Sequence, residues 1–415
     1  MVDVSIVIPC LNEALCLAHC IDNAKDALAE IEKAYRLSGE IVIADNGSTD
    51  GSQDIAERMG ARVVAVPRRG YGAALIGGFT EAFGRYLVMA DADGSYDLLD
   101  AVPMVGRLVD GADMCMGSRF KGGIMPGAMP WKNRYIGNPI LSGILRLLFR
   151  THVSDAHCGI RALTKDCFER LRLSGSGMEF ASEMVIKAAL LKVRIDETPA
   201  ILHPDLRDRP PHLRPWRDGW RHLRYLLMLS PTWVFAVPAG AAITIGLLIL
   251  LISGLHFFGI TPVSNFGTSW TIFAGALLGT GHIAGLLAVA SHLYGVRQGY
   301  RVPKAATRRL ARIVTLETML ISGIVMAGAG AALLAAVAIY WSASGFDQLG
   351  NIFPVVAGTA LIVLGMQNIL GGFLLSIISG NEAAFLRDIA AGPAEVPAAA
   401  AANAGQTQAA RARAA

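Results

Sequence analysis

Residues 86–94 read Tyr-Leu-Val-Met-Ala-Asp-Ala-Asp-Gly, a short apolar run followed by two aspartates that are two positions apart. The apolar run predicts a buried strand, so the carboxylates of Asp91 and Asp93 leave the strand end toward one place. Hard oxygen ligands of this kind suit Mg²⁺ or Mn²⁺, which bind one or two carboxylates together with the phosphates of a substrate. A solvated acidic turn is the alternative for an isolated Asp-x-Asp, and the neighbouring sequence decides between the two.

The composition of the 415-residue chain changes near residue 230. Overall, 53% of the residues are hydrophobic and the mean hydropathy is +0.45, which is too apolar for an ordinary soluble protein. Most acidic residues lie in 1–230, whereas 233–379 consists mainly of long apolar runs. The sequence therefore predicts a globular domain at 1–230 and a membrane domain at 233–379.

All cysteines of the chain lie in the first domain, and no cleavable signal peptide precedes them: Cys10, Cys16, Cys20, Cys115, Cys158 and Cys167. Their spacing matches no paired metal-ligand pattern. Free thiols in a reducing cytosol are the expectation. The net charge of +4 is modest, so the position of the basic residues matters more than their number.

Apolar, β-branched runs alternate with helical stretches through the first 90 residues. The runs lie at 4–9, 40–44, 61–66 and 86–89, and short connections join them to the helices. This alternation predicts an α/β fold in which a parallel sheet carries helices on both faces. Ligands of such sheets bind beyond the carboxyl ends of the strands, where this chain places polar and glycine-rich sequence.

Four signatures follow one another along these strand ends: Pro9 with Asn12-Glu13, Asp-Asn-Gly-Ser-Thr-Asp at 45–50, Gly-Tyr-Gly-Ala-Ala at 70–74 and Asp-Ala-Asp-Gly at 91–94. In this order they resemble the motifs of family 2 glycosyltransferases with the GT-A fold. Within that family the sequence is most similar to polyprenyl-phosphate hexosyltransferases, which act on dolichol phosphate or undecaprenyl phosphate. The resemblance covers about 1–230 and is far more specific than any one motif.

The resemblance implies a site for a nucleotide diphosphate sugar. Glu13 and Asp45 would contact the base and ribose, and Asp91 and Asp93 would hold Mg²⁺ or Mn²⁺ on the diphosphate. Asn46 departs from the second Asp of many relatives, which leaves the base, uracil or guanine, open. The full set of nucleotide-sugar-binding residues that we predict is Pro9, Glu13, Asp45, Gly72, Asp91, Arg207 and Arg209.

Each of these residues also has a purely structural explanation. Glu13 suits a helix cap, Asp45 suits a turn cap, and Gly70 to Gly72 suit a turn without a phosphate. Each explanation is reasonable alone, but their joint occurrence at four strand ends favours a binding site.

A second group of cations points to the acceptor. Arg119 lies in a Gly-Ser-Arg sequence whose arginine faces the active site in the family, and an arginine fork fits a phosphate bidentately. We therefore predict that Arg119, Lys132 and Arg134 bind the acceptor phosphate. The alternative for Arg119 is a structural ion pair with Asp113 or Asp155.

The stretch 155–162 resembles the family loop whose Asp and Arg, here Asp155 and Arg161, help to build the site around the donor sugar. Glu183 lies where relatives carry an acidic residue near the sugar, and it shares a helix face with Glu179. A solvated helix face is the alternative for Glu183. Zinc at His157 and the adjacent cysteine is rejected because no second ligand pair has suitable spacing.

The stretch 203–220 departs most from the family. Many relatives carry an Arg and then Gly-x-Ser-Lys in a flexible loop over the diphosphate, whereas this chain offers Arg207, Arg209 and Arg214. We expect these arginines to take over the phosphate contacts.

Two segments have helical spacing with apolar and cationic faces, near 134–150 and 214–229. In the second, Trp216, Trp220, Leu223 and Leu227 form the apolar stripe, and Arg217, Arg221 and Arg224 form the cationic one. The first segment is predicted to lie in the membrane interface and the second on an anionic membrane surface. A core helix is the alternative for 134–150, and nucleic acid is not expected as a partner because apolar spans follow directly.

Four apolar runs are each near or above the ~20 residues that cross a bilayer: 233–254, 268–294, 315–341 and 353–379. Cations concentrate in the connection 295–312. The positive-inside rule therefore places this connection, the N-terminal domain and the C-terminus in the cytoplasm. The membrane is expected to be the inner (plasma) membrane of the cell. The alanine-rich tail 390–415 is predicted to be disordered. Frequent Gly and Ala allow self-association into a homo-oligomer.

Three polar residues lie within the predicted spans: His282, Gln367 and Asn368. Hydrogen bonds between helices are their expected role, and a lipid pathway is the alternative.

Together these features predict transfer of a hexose from a UDP-glucose or GDP-mannose type donor to the phosphate of a membrane polyprenol, with inversion as the resemblance implies. The catalytic set is Asp91, Asp93, Arg119, Asp155 and Glu183. One alternative is a glycolipid or polysaccharide acceptor, although the Gln-x-x-Arg-Trp signature of processive synthases is absent. A non-catalytic membrane protein that binds nucleotide is the other.

Overall fold

The computed structural model describes residues 2–208, 215–261, 266–299, 301 and 314–380, without the side chains of 215–218. Contacts divide the chain into two compact units, Met1–Ser230 and Pro231–Ala415. The predictions for Arg209, Arg214, most of 295–312 and the tail 390–415 lie outside the described residues, as do those for the side chains of Trp216 and Arg217.

The first half of the N-terminal unit is a parallel βα array. Its elements are β1 (Val4–Cys10), α1 (Ala14–Tyr35), β2 (Gly39–Asp45), α2 (Ser52–Arg58), β3 (Arg62–Ala65), α3 (Tyr71–Glu81) and β4 (Tyr86–Met89). The four strands lie in the order β3-β2-β1-β4, and every neighbouring pair is parallel. The predicted parallel α/β arrangement is therefore confirmed for this half.

The second half completes an eight-stranded sheet within the described chain, in the order β3-β2-β1-β4-β7-β5-β8-β6. Its elements are α4 (Ala101–Val109), β5 (Met114–Ser118), α5 (Arg119–Gly122), β6 (Gly123–Ile124), α6 (Asn138–Phe149), β7 (Arg161–Thr164), α7 (Lys165–Leu171), α8 (Phe180–Leu190), β8 (Ile195–Leu202) and α9 (Pro215–Met228).

Strand β7 is antiparallel to both of its neighbours, β4 and β5, which the sequence did not predict. Arg161, its first residue, pairs with Met89 at the end of β4. The loop that precedes β7 therefore lies at the same edge of the sheet as the carboxyl ends of β4, β5 and β8. This reversal brings residues 155–160 to the strand ends where ligands of α/β sheets bind.

Apolar side chains cover both faces of the sheet. Ile6 and Ile8 of β1 point to the cluster that includes α1 and α4, whereas Val7 points to the cluster formed with α3, α6, α8 and α9. This alternation follows the two-residue period of a strand whose two faces are both buried. The resulting sandwich of helices and sheet holds the strand ends in fixed positions.

Helices α6 and α9 each bury one face and leave apolar side chains on another. Leu145 of α6 is buried, yet Ile140 and Leu147 are 54% and 62% exposed. In α9, Leu226 is buried while Trp220 is 60% exposed. The core-helix alternative for 134–150 therefore describes one side of α6, and the exposed apolar side keeps the features of an interfacial helix.

Within its described residues, the second unit contains four helices long and apolar enough to cross a membrane, Thr232–Phe257, Thr268–Arg297, Leu316–Ala343 and Phe353–Ser379. The third and fourth pack through glycines, since a β-carbon on Gly330 would overlap the backbone of Gly358. Small residues at such contacts let membrane helices approach closely.

The polar residues inside the apolar helices make contacts between helices. His282 Nδ1 lies 2.8 Å from Gln367 Oε1, and Asn368 Nδ2 donates to Ser322 Oγ at 3.3 Å. These contacts match the helix-packing explanation of the three residues rather than the lipid pathway.

Candidate active site

Asp91 lies just beyond β4 and is partly enclosed by the loop before β7. The Tyr71 hydroxyl donates to Asp91 Oδ1 at 2.9 Å. A β-carbon on Gly159 would overlap the Asp91 carboxylate, so glycine is required for this loop to pack here. Loss of water contact, together with the negative charge of Asp93, raises the pKa of Asp91 to about 6.

Asp93 is held by its own turn on one side and faces a cation on the other. Its Oδ1 accepts hydrogen bonds from the Ser95 amide at 3.1 Å and from the Ser95 hydroxyl at 2.6 Å. Its Oδ2 lies 3.2 Å from Arg207 Nη1. Oδ1 of Asp93 is therefore fixed by its own turn, and Oδ2 faces the positive charge of Arg207.

Arg207 joins Asp93 to Glu13 across the end of the sheet. Its Nη2 lies 2.8 Å from Glu13 Oε1 and its Nε donates to Glu13 Oε2 at 3.0 Å. Although burial alone would lower its pKa, the surrounding carboxylates raise the pKa of Arg207. Two backbone hydrogen bonds fix this loop, from His203 to Ser95 and from Leu206 to Asp93.

The acidic pair fits a divalent cation that is shared with a substrate. Asp91 and Asp93 offer hard oxygen ligands, and the Arg207 guanidinium beside them stands where the local field favours positive charge. In the described part of the chain no group of three or more His, Cys, Asp and Glu side chains is arranged to hold a metal ion by itself. This donor set suits Mg²⁺ or Mn²⁺ completed by diphosphate oxygens.

The loop after β2 is ordered around Asp45. The carboxylate accepts hydrogen bonds from the Gly47 amide at 3.0 Å and from Gln53 Nε2 at 2.6 Å, and it is almost fully buried. Asp45 is thus positioned at the strand end, as predicted, while its oxygens also form the turn cap that was the alternative. The turn cap is therefore present, and a contact of Asp45 with the base or ribose stays a prediction.

Asn46 has a role that sequence reasoning missed. Its Nδ2 donates to the carbonyls of Val66 and Arg68 at 2.9 and 2.8 Å, and its Oδ1 accepts from the Gly70 amide at 2.6 Å. An aspartate has no N–H to offer these two carbonyls. The departure from the family therefore couples the loop after β2 to the loop that begins α3, and asparagine is the residue that this coupling requires.

Gly72 and Pro9, both predicted to line the nucleotide site, have different surroundings. A β-carbon on Gly72 would overlap Gly175 and Phe180, so close packing of α3 against the loop before α8 explains this glycine. Pro9 is the penultimate residue of β1 and lies opposite Ala44 of β2. A nucleotide contact for either residue stays a prediction.

Arg119 and Asp155 form a buried, bidentate ion pair. Arg119 Nε and Nη2 donate to the two carboxylate oxygens at 2.7 Å each, and the Arg119 amide donates at 3.1 Å. Burial alone would raise the pKa of Asp155, but the hydrogen bonds and charge of Arg119 hold it below the usual range. The alternative of a structural ion pair with Asp155 is therefore realised, and a direct contact of Arg119 with the acceptor stays a prediction.

Arg161 fixes the loop between Asp155 and β7. Its guanidinium is fully buried and donates to the carbonyls of Ala156, Cys158 and Ala181 at 2.9 to 3.0 Å. Burial lowers the pKa of Arg161. This arginine acts on the site through the backbone, since it orders the loop that carries Gly159 against Asp91.

The prediction that Glu183 lies near the sugar needs correction. Glu183 is fully buried, pairs with Lys187 at 2.7 Å and accepts hydrogen bonds from the amides of Ser174 and Gly175. Burial opposes ionisation, but Lys187 and these amides lower its pKa. The solvated-face alternative is also wrong, because Glu183 anchors the loop that packs on the start of α3.

Lys132 and Arg134 lie in the helical segment that leads into α6, where Lys132 is exposed and Arg134 is partly exposed. Lys132 Nζ lies 5.9 Å from the centroid of Trp131, and Arg134 Cζ lies 5.4 Å from that of Tyr135. Neither forms an ion pair with any other residue in the ranges that the structure describes. Both cations therefore remain available to an anion.

Two histidines and a serine behind the Asp155 loop were not predicted as a group. His222 Nδ1 of α9 lies 2.8 Å from Ser182 Oγ, and His157 Nε2 lies 3.4 Å from the same oxygen. Burial and the positive charges of neighbouring side chains, His222 first, lower the pKa of His157 to about 3. The two rings connect α9 with the loop before β7 through the Ser182 hydroxyl.

The site thus has acidic residues at the ends of neighbouring strands, with the guanidinium of Arg207 between Glu13 and Asp93. The family model "Glycosyl transferase family 2" matches residues 5–172, and "Glycosyltransferase family 2 C-terminal transmembrane region" matches residues 289–379. The low-salt glycan biosynthesis hexosyltransferase Agl6 of Haloferax volcanii is 35% identical over 377 residues, which cover 89% of this chain and 88% of that protein.

The chain therefore belongs to glycosyltransferase family 2, and it is a multi-pass membrane protein with a GT-A domain. The dolichol-phosphate mannosyltransferase of Pyrococcus furiosus is 29% identical over 197 residues, which cover 46% of this chain and 54% of that protein. A solved structure of glucosyl-3-phosphoglycerate synthase from Mycobacterium tuberculosis with Mn²⁺ and UDP is 21% identical, covers 55% of this chain and 78% of its own, and has a TM-score of 0.40.

Proposed function

We propose that this enzyme transfers a hexose from a UDP-glucose or GDP-mannose type donor to the phosphate of a membrane polyprenol, with inversion at the anomeric carbon. The similarity to a hexosyltransferase over most of the chain and to a dolichol-phosphate mannosyltransferase over about half of it supports this choice. The product would be a polyprenyl-phosphate hexose that serves as a donor in glycan biosynthesis.

The observation that carries the choice of acceptor is the pairing of Asp155, the carboxylate of the loop predicted to lie at the donor sugar. Both of its oxygens accept hydrogen bonds from Arg119, which lowers its pKa, and Asp91, whose pKa is raised, is assigned to the metal. A carboxylate with a lowered pKa is a poor general base. A sugar hydroxyl acceptor needs a base, whereas a phosphate oxygen is already anionic near neutral pH, so the Arg119–Asp155 pair favours a phosphate acceptor.

The donor site would be formed by the ends of β1, β2 and β4. Glu13 and Asp45 would contact the base and ribose, and Asp91 and Asp93 would hold Mg²⁺ or Mn²⁺. When bound, the cation would neutralise the charge that develops on the leaving diphosphate. Arg207 exchanges its carboxylate partners for diphosphate oxygens, with which it forms charge-assisted hydrogen bonds.

The acceptor phosphate would be held by Lys132 and Arg134, whose side chains are available in the helical segment that leads into α6. The Arg119–Asp155 pair positions the loop between acceptor and donor. The two cations offset the repulsion between the acceptor phosphate and the donor diphosphate. Holding both substrates in line also removes an entropic barrier. The exposed apolar side chains of α6 and α9 keep this site at the depth of the lipid phosphates.

We place the protein in the inner (plasma) membrane with the N-terminal domain and the C-terminus in the cytoplasm. The basic connection after the second apolar helix supports this orientation, because cytoplasmic loops carry an excess of Lys and Arg. The soluble nucleotide sugar then reaches the domain from the cytoplasm, while the polyprenol stays in the bilayer.

The test uses the full-length protein in detergent with undecaprenyl phosphate, Mg²⁺ or Mn²⁺, and a panel of UDP- and GDP-hexoses. Release of nucleoside diphosphate is measured for the wild type, for Asp93→Asn and for the matched variant Asp97→Asn, which lies outside the proposed metal site. Release that needs lipid and metal and is lost only in Asp93→Asn supports the proposal. Release that is independent of the lipid phosphate contradicts it and points to a glycolipid or polysaccharide acceptor.

A further inference from the structure

A basic groove lies beside α9 in the N-terminal unit. It has a volume of about 540 Å³, and the loop before α3, the loop before α8 and α9 itself line it. Its principal side chains are Arg68, Arg69, Arg221, Arg224, Tyr225 and Met228. We call this feature the arginine groove. The nucleotide site and the acceptor cations described above use none of these side chains.

Two of the arginines that line the arginine groove have no acidic partner among the described residues. Glu179 is its acidic lining residue, and its carboxylate already accepts a hydrogen bond from the Gly177 amide at 2.9 Å. Arg69 and Arg224 form no ion pair with any residue that the structure describes. Four guanidinium groups around one space repel one another, and an anion between them relieves that repulsion.

The type of anion follows from the chemistry of arginine. A planar guanidinium forms two parallel hydrogen bonds to phosphate, and several arginines around one groove match the oxygens of a phosphate group from different directions. Arg68 Nη2 lies 3.5 Å from the Ser174 carbonyl, a long hydrogen bond on the wall of the groove. The side chains of the groove therefore suit a phosphate group.

The opposite side of the groove indicates that the phosphate belongs to a lipid. Tyr225 and Met228 supply an apolar wall, and Met228 is 68% exposed at the last turn of α9. Only residues 229–231 separate this turn from Thr232, where the first apolar helix begins. The four residue steps from Met228 to Thr232 span about 14 Å at most, so we expect the groove to open near the depth of the lipid headgroups.

We propose that the arginine groove binds the phosphate headgroup of an anionic phospholipid, separately from the sugar donor and the polyprenol acceptor. Arg68, Arg69, Arg221 and Arg224 bind the phosphate, and the wall of Tyr225 and Met228 contacts the glycerol and the first acyl carbons. The bound lipid ties the loop before α3 to α9. Tyr71 follows this loop and donates a hydrogen bond to Asp91. The bound lipid therefore also stabilises the position of Tyr71 and, through it, that of Asp91.

The binding test uses the full-length protein in a mild detergent with phosphatidylglycerol, phosphatidylcholine or inorganic phosphate. Native mass spectrometry counts retained lipids, and titration gives the affinity. Wild type is expected to retain phosphatidylglycerol over phosphatidylcholine. The variant Arg69→Gln/Arg224→Gln is expected to bind it roughly tenfold to thirtyfold more weakly. The charge-matched control Arg58→Gln/Arg107→Gln removes two exposed arginines elsewhere and is expected to bind like the wild type.

Three results would overturn the inference. Equal weakening in both double variants would indicate a general effect of charge, and full competition by inorganic phosphate would indicate a soluble ligand. Displacement of phosphatidylglycerol by stoichiometric undecaprenyl phosphate, with the same dependence on Arg69 and Arg224, would make the groove part of the acceptor site. Because lipid retention is measured without a sugar donor, these outcomes are independent of the hexosyl transfer.

Discussion

Arg207 Nη1 lies 3.2 Å from Asp93 Oδ2. The same guanidinium forms two contacts with Glu13, at 2.8 and 3.0 Å. One cationic side chain thus neutralises both a residue proposed to contact the nucleotide base and a residue proposed to hold the metal. If donor and metal bind as proposed, we expect Arg207 to leave both carboxylates and to contact the diphosphate instead.

Replacing Arg207 is expected to separate metal binding from transfer. In Arg207→Gln the competing positive charge is gone, so Mn²⁺ binds the free enzyme about tenfold more tightly, a coupling typical of linked sites. Sugar transfer falls because the diphosphate loses its arginine contact. Electron paramagnetic resonance of free Mn²⁺ measures the affinity without any sugar donor. Arg207→Lys keeps the charge and is expected to bind Mn²⁺ like the wild type, and unchanged affinity in Arg207→Gln would reject the competition.

Breaking the Arg119–Asp155 pair is expected to destabilise the N-terminal unit. Asp155→Asn leaves a buried guanidinium without its counter-charge, which costs about 3–5 kcal/mol. All six cysteines are buried and lie in this unit, so the rate of thiol labelling during heating reports its unfolding. The double variant Arg119→Met/Asp155→Leu buries no unpaired charge and should recover most of the stability. Similar destabilisation in both variants would argue against an electrostatic origin.

Asn46→Asp is expected to weaken the coupling between the loops after β2 and β3. The new carboxylate faces the carbonyls of Val66 and Arg68 without a hydrogen to donate, and each buried group left unsatisfied costs about 1–3 kcal/mol. Thiol labelling on heating measures the loss, and Asn133→Asp in the helical segment that leads into α6 serves as the control. A stable Asn46→Asp protein would indicate that the second Asp of many relatives is accommodated here without rearrangement.

His157 is expected to make stability depend on pH. A histidine in the unfolded chain protonates near pH 6.5, whereas His157 stays neutral in the folded unit down to about pH 3. The unfolded state therefore binds more protons between these values. Stability is fully present above pH 6.5 and decreases as the pH falls, by up to about 1.4 kcal/mol per pH unit. His157→Gln keeps an N–H for Ser182, and its thiol-labelling temperature should depend less on pH.

The first four strands and the acidic strand ends were predictable because apolar periodicity and the Asp-x-Asp spacing are local signals. The direction of β7 was not, since a four-residue strand carries no mark of its orientation and its pairing with Met89 spans a long separation in sequence. Glu183 illustrates the same limit. Its spacing on a helix was clear, but whether it faced a sugar or Lys187 depended on the position of the loop at 174–177.

The reversed strand β7 also affects the order in which the protein acquires its site during synthesis. Asp91 and Asp93 leave the ribosome with the parallel half of the sheet, but Gly159, Arg161 and Arg207 follow about 70 to 115 residues later. At ribosomal rates of about 5–20 residues per second, the acidic pair waits several seconds for its neighbours. During that interval β4 has an open edge and its carboxylates are hydrated, so the nascent chain carries metal ligands before it carries the guanidinium that later covers them.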